Sequence, residues 1–87
     1  MFKVVVNVSL KDSILDPQGQ TALRALETLG IKNAKDLRVG KRFVLKIESS
    51  DRAQAEASAR EICEKILVNP VIEKYFLEKV EPLQGAS

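Results

Sequence analysis

The chain has 87 residues, 45% hydrophobic, 30% charged and 5% aromatic, with a formal net charge of +2. This bounds it to one small globular domain near the size limit of independent stability, and gives no strong field for nucleic acid or membrane. A single cysteine and the absence of histidine exclude a disulfide framework and remove the commonest general base and metal ligand together.

Phe2, Val4, Val6, Val8 and Leu10 alternate with Lys3, Val5, Asn7, Ser9 and Lys11, the period of a strand with one buried face. The run Val4-Val5-Val6 is broken at Asn7, and no membrane-length stretch, signal peptide or lipidation motif is seen. A cytoplasmic protein with no membrane partner is expected.

A polar loop, Lys11-Asp12-Ser13, leads to Leu15-Asp16-Pro17-Gln18-Gly19-Gln20. Asp16 suits a helix N-cap, and Pro17 suits the first helical position, where no N–H is needed. Gly19 is anomalous. It falls where a capping box wants Glu or Gln, and glycine costs a helix interior about 1 kcal/mol relative to alanine. Close approach of another backbone, or of a partner surface, would account for it. The helix is expected over Pro17–Leu29, with Ala22, Leu23, Leu26 and Leu29 on its inner face. Gly30 and Ile31 have the pattern of a Schellman cap folding back onto Leu26.

In Leu37–Glu48, Leu37, Val39, Phe43, Leu45 and Ile47 share one face, interrupted at Lys41, while Arg38, Arg42 and Lys46 share the other. A single long strand bent at Gly40 is preferred to a hairpin turning on Gly40-Lys41, because parity is kept across the glycine. Ser49-Ser50-Asp51 caps a second helix whose inner stripe is Ala55, Ala59, Ile62, Cys63, Ile66 and Leu67. Glu56–Arg60 and Glu61–Lys65 are its expected ion pairs. The helix stops at Asn69-Pro70, with Asn69 suited to a left-handed position, and a last strand is expected from Tyr75 to Glu81. The predicted fold is α+β, a two-layer sandwich ordered strand, helix, long bent strand, helix, strand. Its sheet is antiparallel or mixed, with both helices on one face. The domain spans 1–82, and 83–87 form a frayed tail.

No catalytic constellation emerges. Cys63 lies on an apolar helix stripe without a histidine partner and reads as a small core hydrophobe. The carboxylates are scattered over wet faces. Arg38, Arg42 and Lys46 form a basic stripe, but the open sheet face lacks the aromatics that stack bases, and Tyr75 and Phe76 read as core or edge packing. Gly40-Lys41 lacks the spaced glycines and the Ser or Thr of a phosphate loop. From the residues alone, the chain is an interaction or regulatory module that self-associates.

Several blocks then carry a resemblance: Val8-Ser9-Leu10-Lys11, Ile14-Leu15-Asp16-Pro17-Gln18-Gly19, Leu29-Gly30, Arg38-Val39-Gly40-Lys41, and Asn69-Pro70-Val71-Ile72-Glu73 with Tyr75. Their order and spacing resemble the PurS family, the small subunit of phosphoribosylformylglycinamidine synthase in purine biosynthesis. The family's synthase converts formylglycinamide ribonucleotide, ATP and glutamine to formylglycinamidine ribonucleotide, ADP, phosphate and glutamate. The resemblance implies a homodimer or homotetramer that joins a glutaminase subunit to a large synthetase subunit and aids ammonia transfer. It implies no cofactor on this chain, with ATP, Mg and glutamine used by the complex. Asp16, Gln18, Gly19, Arg38, Gly40 and Lys41 are the residues expected to face partner subunits or the second copy. The competing readings are a small dimeric amino-acid-sensing domain and, behind it, an RNA-binding sheet.

Overall fold

The computed structural model of the chain describes residues 1–83. Its strands are β1 (Phe2–Leu10), β2 (Gly40–Ile47) and β3 (Glu73–Pro82); its helices are α1 (Pro17–Thr28) and α2 (Arg52–Ile62). The three strands form one antiparallel sheet in the order β2-β1-β3. The most apolar strand, β1, is therefore central, and both its edges are hydrogen-bonded. Pairing runs from Phe2 opposite Ile47 to Ser9 opposite Gly40 on one side, and from Phe2 opposite Pro82 to Leu10 opposite Glu73 on the other. The register with β3 shifts between Val5 and Val6, which leaves Glu78 as an extra residue between Leu77 and Lys79. This bulge is what blurs the alternation after Tyr75 in the sequence.

Val4, Val6 and Val8 point to the face covered by α2, where they meet Ala55, Ala59 and Cys63, all essentially inaccessible to solvent. The small residues on α2 let the helix lie close to the sheet, and Phe2, Phe43, Leu45, Ile62, Leu67, Tyr75 and Leu77 close the rim of the core. Each fully buried valine contributes roughly 1.5–3 kcal/mol relative to exposure. Cys63 is buried and its thiol is shifted up by desolvation, as a core hydrophobe should be.

Four local expectations are corrected. First, β2 begins at Gly40, so Leu37–Val39 is neither the first arm of a bent strand nor part of a hairpin. The Val39 N–H donates to the Asp16 carboxylate (2.7 Å) instead of to the sheet. Second, α2 gives way to a π-helical turn over Cys63–Leu67, with the Val68 N–H donating to Cys63 O. The extra residue in that turn rotates the apolar stripe, so Ile66, expected inside, is 79% exposed. Third, Glu56 pairs with Arg52 (3.5 Å) rather than Arg60, whereas Lys65–Glu61 forms as expected (3.2 Å). Fourth, among the described residues none other than glycine has positive φ. Asn69 ends the helix by a different device: its side chain accepts from the Val71 N–H, and its carbonyl accepts from the N–H groups of Ile72 and Glu73.

The largest difference concerns α1. Its caps form as anticipated. Asp16 accepts from the Gly19 N–H, and the Schellman pair runs from Gly30 N–H to Glu27 O and from Ile31 N–H to Leu26 O, with Gly30 at φ 86°. Yet only α2 lies on the sheet, and α1 contributes no residue to the core. Its single buried residue is Gly19, and Leu29, expected inside, is 75% exposed. The chain is consequently elongated, 51 × 30 × 15 Å. Leu83, the first residue of the expected tail, donates its N–H to Met1 O; the rest of that tail, 84–87, lies outside the described residues.

Candidate functional site

The end of the sheet where β1 leaves, β2 enters and β3 begins is built around Asp16. The residue is 3% exposed, and each of its carboxylate oxygens has a separate task. Oδ1 accepts from the Gly19 N–H at 3.0 Å and so caps α1; Oδ2 accepts from the Val39 N–H at 2.7 Å and so anchors the strand leading into β2. The Val39 bond, followed by the Gly19 bond, holds the Asp16 carboxyl below the usual carboxylate range, because both N–H groups favour the charged form.

Gly19 has a reason internal to the chain. A Cβ there would lie 2.1 Å from the carbonyl oxygen of Leu37, whose backbone crosses the first turn of α1. Arg38, next along that crossing segment, donates through Nη2 to Lys11 O and Ile14 O, both at 3.0 Å, and so holds the loop between β1 and α1. Gly40 opens β2 where a Cβ would stand 2.9 Å from Val8 O. Lys41 lies across β1 from Glu73 and pairs with it at 3.4 Å. The Asn69 N–H also donates to Glu73, and that bond, with the smaller effect of Lys41, lowers the Glu73 carboxyl.

The structure thus brings all six sequence-predicted residues to one end of the molecule. Asp16, Gln18, Gly40 and Lys41 line a cleft of about 250 Å³ there, together with Ser9, Val39 and Glu73. Gly19 sits behind Asp16, and Arg38 lines the adjoining surface with Phe76. Of the six, Asp16, Gly19, Arg38 and Gly40 have intramolecular work; Gln18 projects from the surface, and Lys41 does so while paired with Glu73. Sequence reasoning missed Val39 and Glu73. The Asn69-to-Glu73 spacing of four was the available signal for the second; nothing local marks the first, since its N–H finds Asp16 only through the fold.

The open sheet face also differs in one respect from expectation. Phe76 points into it and is 60% exposed, while Tyr75 turns inward and donates its hydroxyl to Glu64 at 3.0 Å. Among the described residues there is no group of three or more His, Cys, Asp or Glu that could hold a metal ion. Among the described residues no helix is long and apolar enough to cross a membrane.

A three-stranded antiparallel sheet covered by one helix, with one end laced together by side-chain ties to backbone, defines a small α+β protein. The chain belongs to the PurS family, whose model, described as phosphoribosylformylglycinamidine (FGAM) synthase, matches residues 3–81. It is 47% identical over 81 residues to phosphoribosylformylglycinamidine synthase subunit PurS of Bacillus subtilis (strain 168), covering 93% of this chain and 95% of that one. The crystal structure of Methanocaldococcus jannaschii PurS superposes with a TM-score of 0.85 at 36% identity, covering 97% of this chain and all (100%) of that chain. A chain of the structure of PurLQS from Thermotoga maritima superposes with a TM-score of 0.82 at 34% identity, covering 88% of this chain and 94% of that one.

Proposed function

We propose that this chain is the small, non-catalytic subunit of FGAM synthase, the ATP- and glutamine-dependent ligase of purine (IMP) biosynthesis. In this reading it acts in the cytoplasm as a homodimer or homotetramer that joins the glutaminase subunit to the large synthetase subunit and aids ammonia transfer between them. The observation that carries the reading is the match to the family over residues 3–81, in a chain nearly coextensive with its relatives. The described residues hold neither a glycine-rich phosphate loop nor a cluster of metal ligands, so ATP, Mg and glutamine are read as ligands of the partner subunits.

The partner-facing surface is placed at the cleft end. Gln18 and Lys41 meet the neighbouring subunit, while Asp16, Gly19, Arg38 and Gly40 set the shape of the surface behind them. Support comes from their exposure: Gln18 stands on the first turn of α1, and the Lys41 side chain is 62% exposed although paired. The test uses exposed residues, whose replacement leaves the fold intact. Gln18→Ala with Lys41→Ala should weaken capture of the glutaminase and large subunits from a purified mixture while thermal stability of the isolated chain is kept. Unchanged capture would remove these residues from the interface. Saturable heat on titrating free amino acids into the isolated chain would favour a sensing domain instead.

A further inference from the structure

Within one copy α1 stands apart from the sheet. It contributes nothing to the core, and its single buried residue is Gly19, in its first turn. The chain's radius of gyration is accordingly 16.8 Å, against about 12 Å for a compact domain of this length. The direction in which α1 leaves the sheet therefore depends on the few bonds at its base.

Those bonds join two segments that pass each other there. Residues 11–16 bring the chain from β1 to α1, and residues 37–39 return it to β2. The first segment is fixed to the sheet end: the Lys11 N–H donates to Ile72 O at 2.8 Å, and Asp12 pairs with Lys74 at 2.9 Å. Two straps then cross between the segments in opposite senses. Asp16, on the first, accepts from the Val39 N–H at 2.7 Å. Arg38, on the second, donates to Lys11 O and Ile14 O, both at 3.0 Å. One strap alone would leave rotation about its own axis, and two at separate points remove it. Gly19 completes the crossing, since a Cβ there would lie 2.1 Å from Leu37 O and push the segments apart.

Arg38 is suited to this task. It has no carboxylate within 4.0 Å among the described residues, so its donors are turned to backbone carbonyls. A charged donor makes the stronger hydrogen bond, and the planar guanidinium is pre-organised for more than one acceptor.

We propose that Arg38 and Asp16 form a two-strap lock that fixes the direction in which α1 leaves the sheet. Because Gln18 belongs to α1 and Lys41 to β2, the same lock sets their separation across the cleft. The lock is a property of the single chain and stands whether or not the cleft meets a partner subunit.

The test uses the full chain, spin-labelled at Glu27→Cys in the last turn of α1 and at Glu48→Cys just past β2. Both positions are exposed, and buried Cys63 takes no label. Diluting labelled chains into an excess of unlabelled ones confines the measured distance to one copy. With the lock intact, double electron–electron resonance should give one narrow distance distribution. Arg38→Ala should widen it about twofold or more, with an unchanged circular dichroism spectrum. It should also speed hydrogen exchange of the Val39 N–H about tenfold, the effect of losing a bond from a charged donor, and leave exchange in β1 as it was. Asp16→Ser keeps one capping oxygen for Gly19 and has no second oxygen for Val39, so it should widen the distribution in the same way. It reads the lock even where Arg38→Ala does not fold. Lys35→Ala removes another lysine-to-carbonyl bond of the same connection, to Lys32 O at 2.9 Å, and should leave the distribution narrow. Distributions as narrow in Arg38→Ala and Asp16→Ser as in the parent would overturn the lock, and so would equal widening in Lys35→Ala.

Discussion

Replacing Gly19 by alanine separates two accounts of α1. On helix propensity alone the change should help, by at most about 1 kcal/mol. The structure predicts the opposite sign. The new Cβ would sit 2.1 Å from Leu37 O, and real Cβ atoms essentially never come under 3.0 Å, so the backbones must separate by about 0.9 Å (3.0 − 2.1). The obstructing atom is backbone, and the segment that carries it is tied by the Val39 N–H to Asp16 at 2.7 Å, so it has little room to retreat. Overpacking of this kind costs about 1–3 kcal/mol, and a main-chain obstacle belongs at the upper end. Subtracting the propensity gain leaves a net loss of about 2 kcal/mol. For a domain of this size that lowers Tm by about 8–16 °C. Thermal unfolding followed by circular dichroism, at fixed protein concentration, measures it. A Tm equal to or above that of the wild type would refute the close crossing of Leu37 over the first turn.

Gly30 provides a contrast: nothing lies within 4 Å of its would-be Cβ, but φ is +86°, so Gly30→Ala should lose about 1–2 kcal/mol through left-handed strain alone in the same assay. The Asp16 carboxyl is lowered in the fold, so its stabilising effect is present above about pH 4 and lost as pH falls through the folded value. Asp16→Asn, which turns an amide donor or a weaker acceptor toward one of the two N–H groups, should speed hydrogen exchange at Gly19 or Val39 at pH 7. It should also flatten the acid dependence of that exchange after correction for the intrinsic rate. Cys63→Ser places a hydroxyl among Ala59, Val68 and sheet valines and should cost about 1–3 kcal/mol in urea denaturation. In the wild type, alkylation of Cys63 should require unfolding, since burial both shields the thiol and raises its pKa.

Much of the architecture is legible in the residues because local chemistry and fold agree there. The alternation of β1, the Asp16-Pro17 start and Gly30 end of α1, the Ala55–Ala59–Cys63 stripe and the Asn69-Pro70 stop each have a cause within a few residues. What stayed hidden depends on contacts made at a distance. The start of β2 at Gly40 depends on Val39 preferring Asp16, twenty-three positions away, to a neighbouring strand. The exposure of Ile66 follows from one π-helical turn, for which the stripe gives no warning. The apolar stripe of α1 predicts packing on its own sheet, which the structure does not show, because such a stripe marks an apolar face and not the surface it meets. At the candidate site, the anomaly at Gly19 was visible but its cause was ambiguous. The Leu37 carbonyl assigns it to the chain's own backbone.

In the proposed function the chain is required by a synthase whose chemistry lies in its partner subunits. Purified glutaminase and large synthetase subunits from the same source should show little glutamine-dependent formation of formylglycinamidine ribonucleotide when mixed alone. Adding this chain should restore that activity to saturation at a fixed subunit ratio, while the chain by itself turns over nothing. Full glutamine-dependent activity in its absence, with no gain on its addition, would contradict the account.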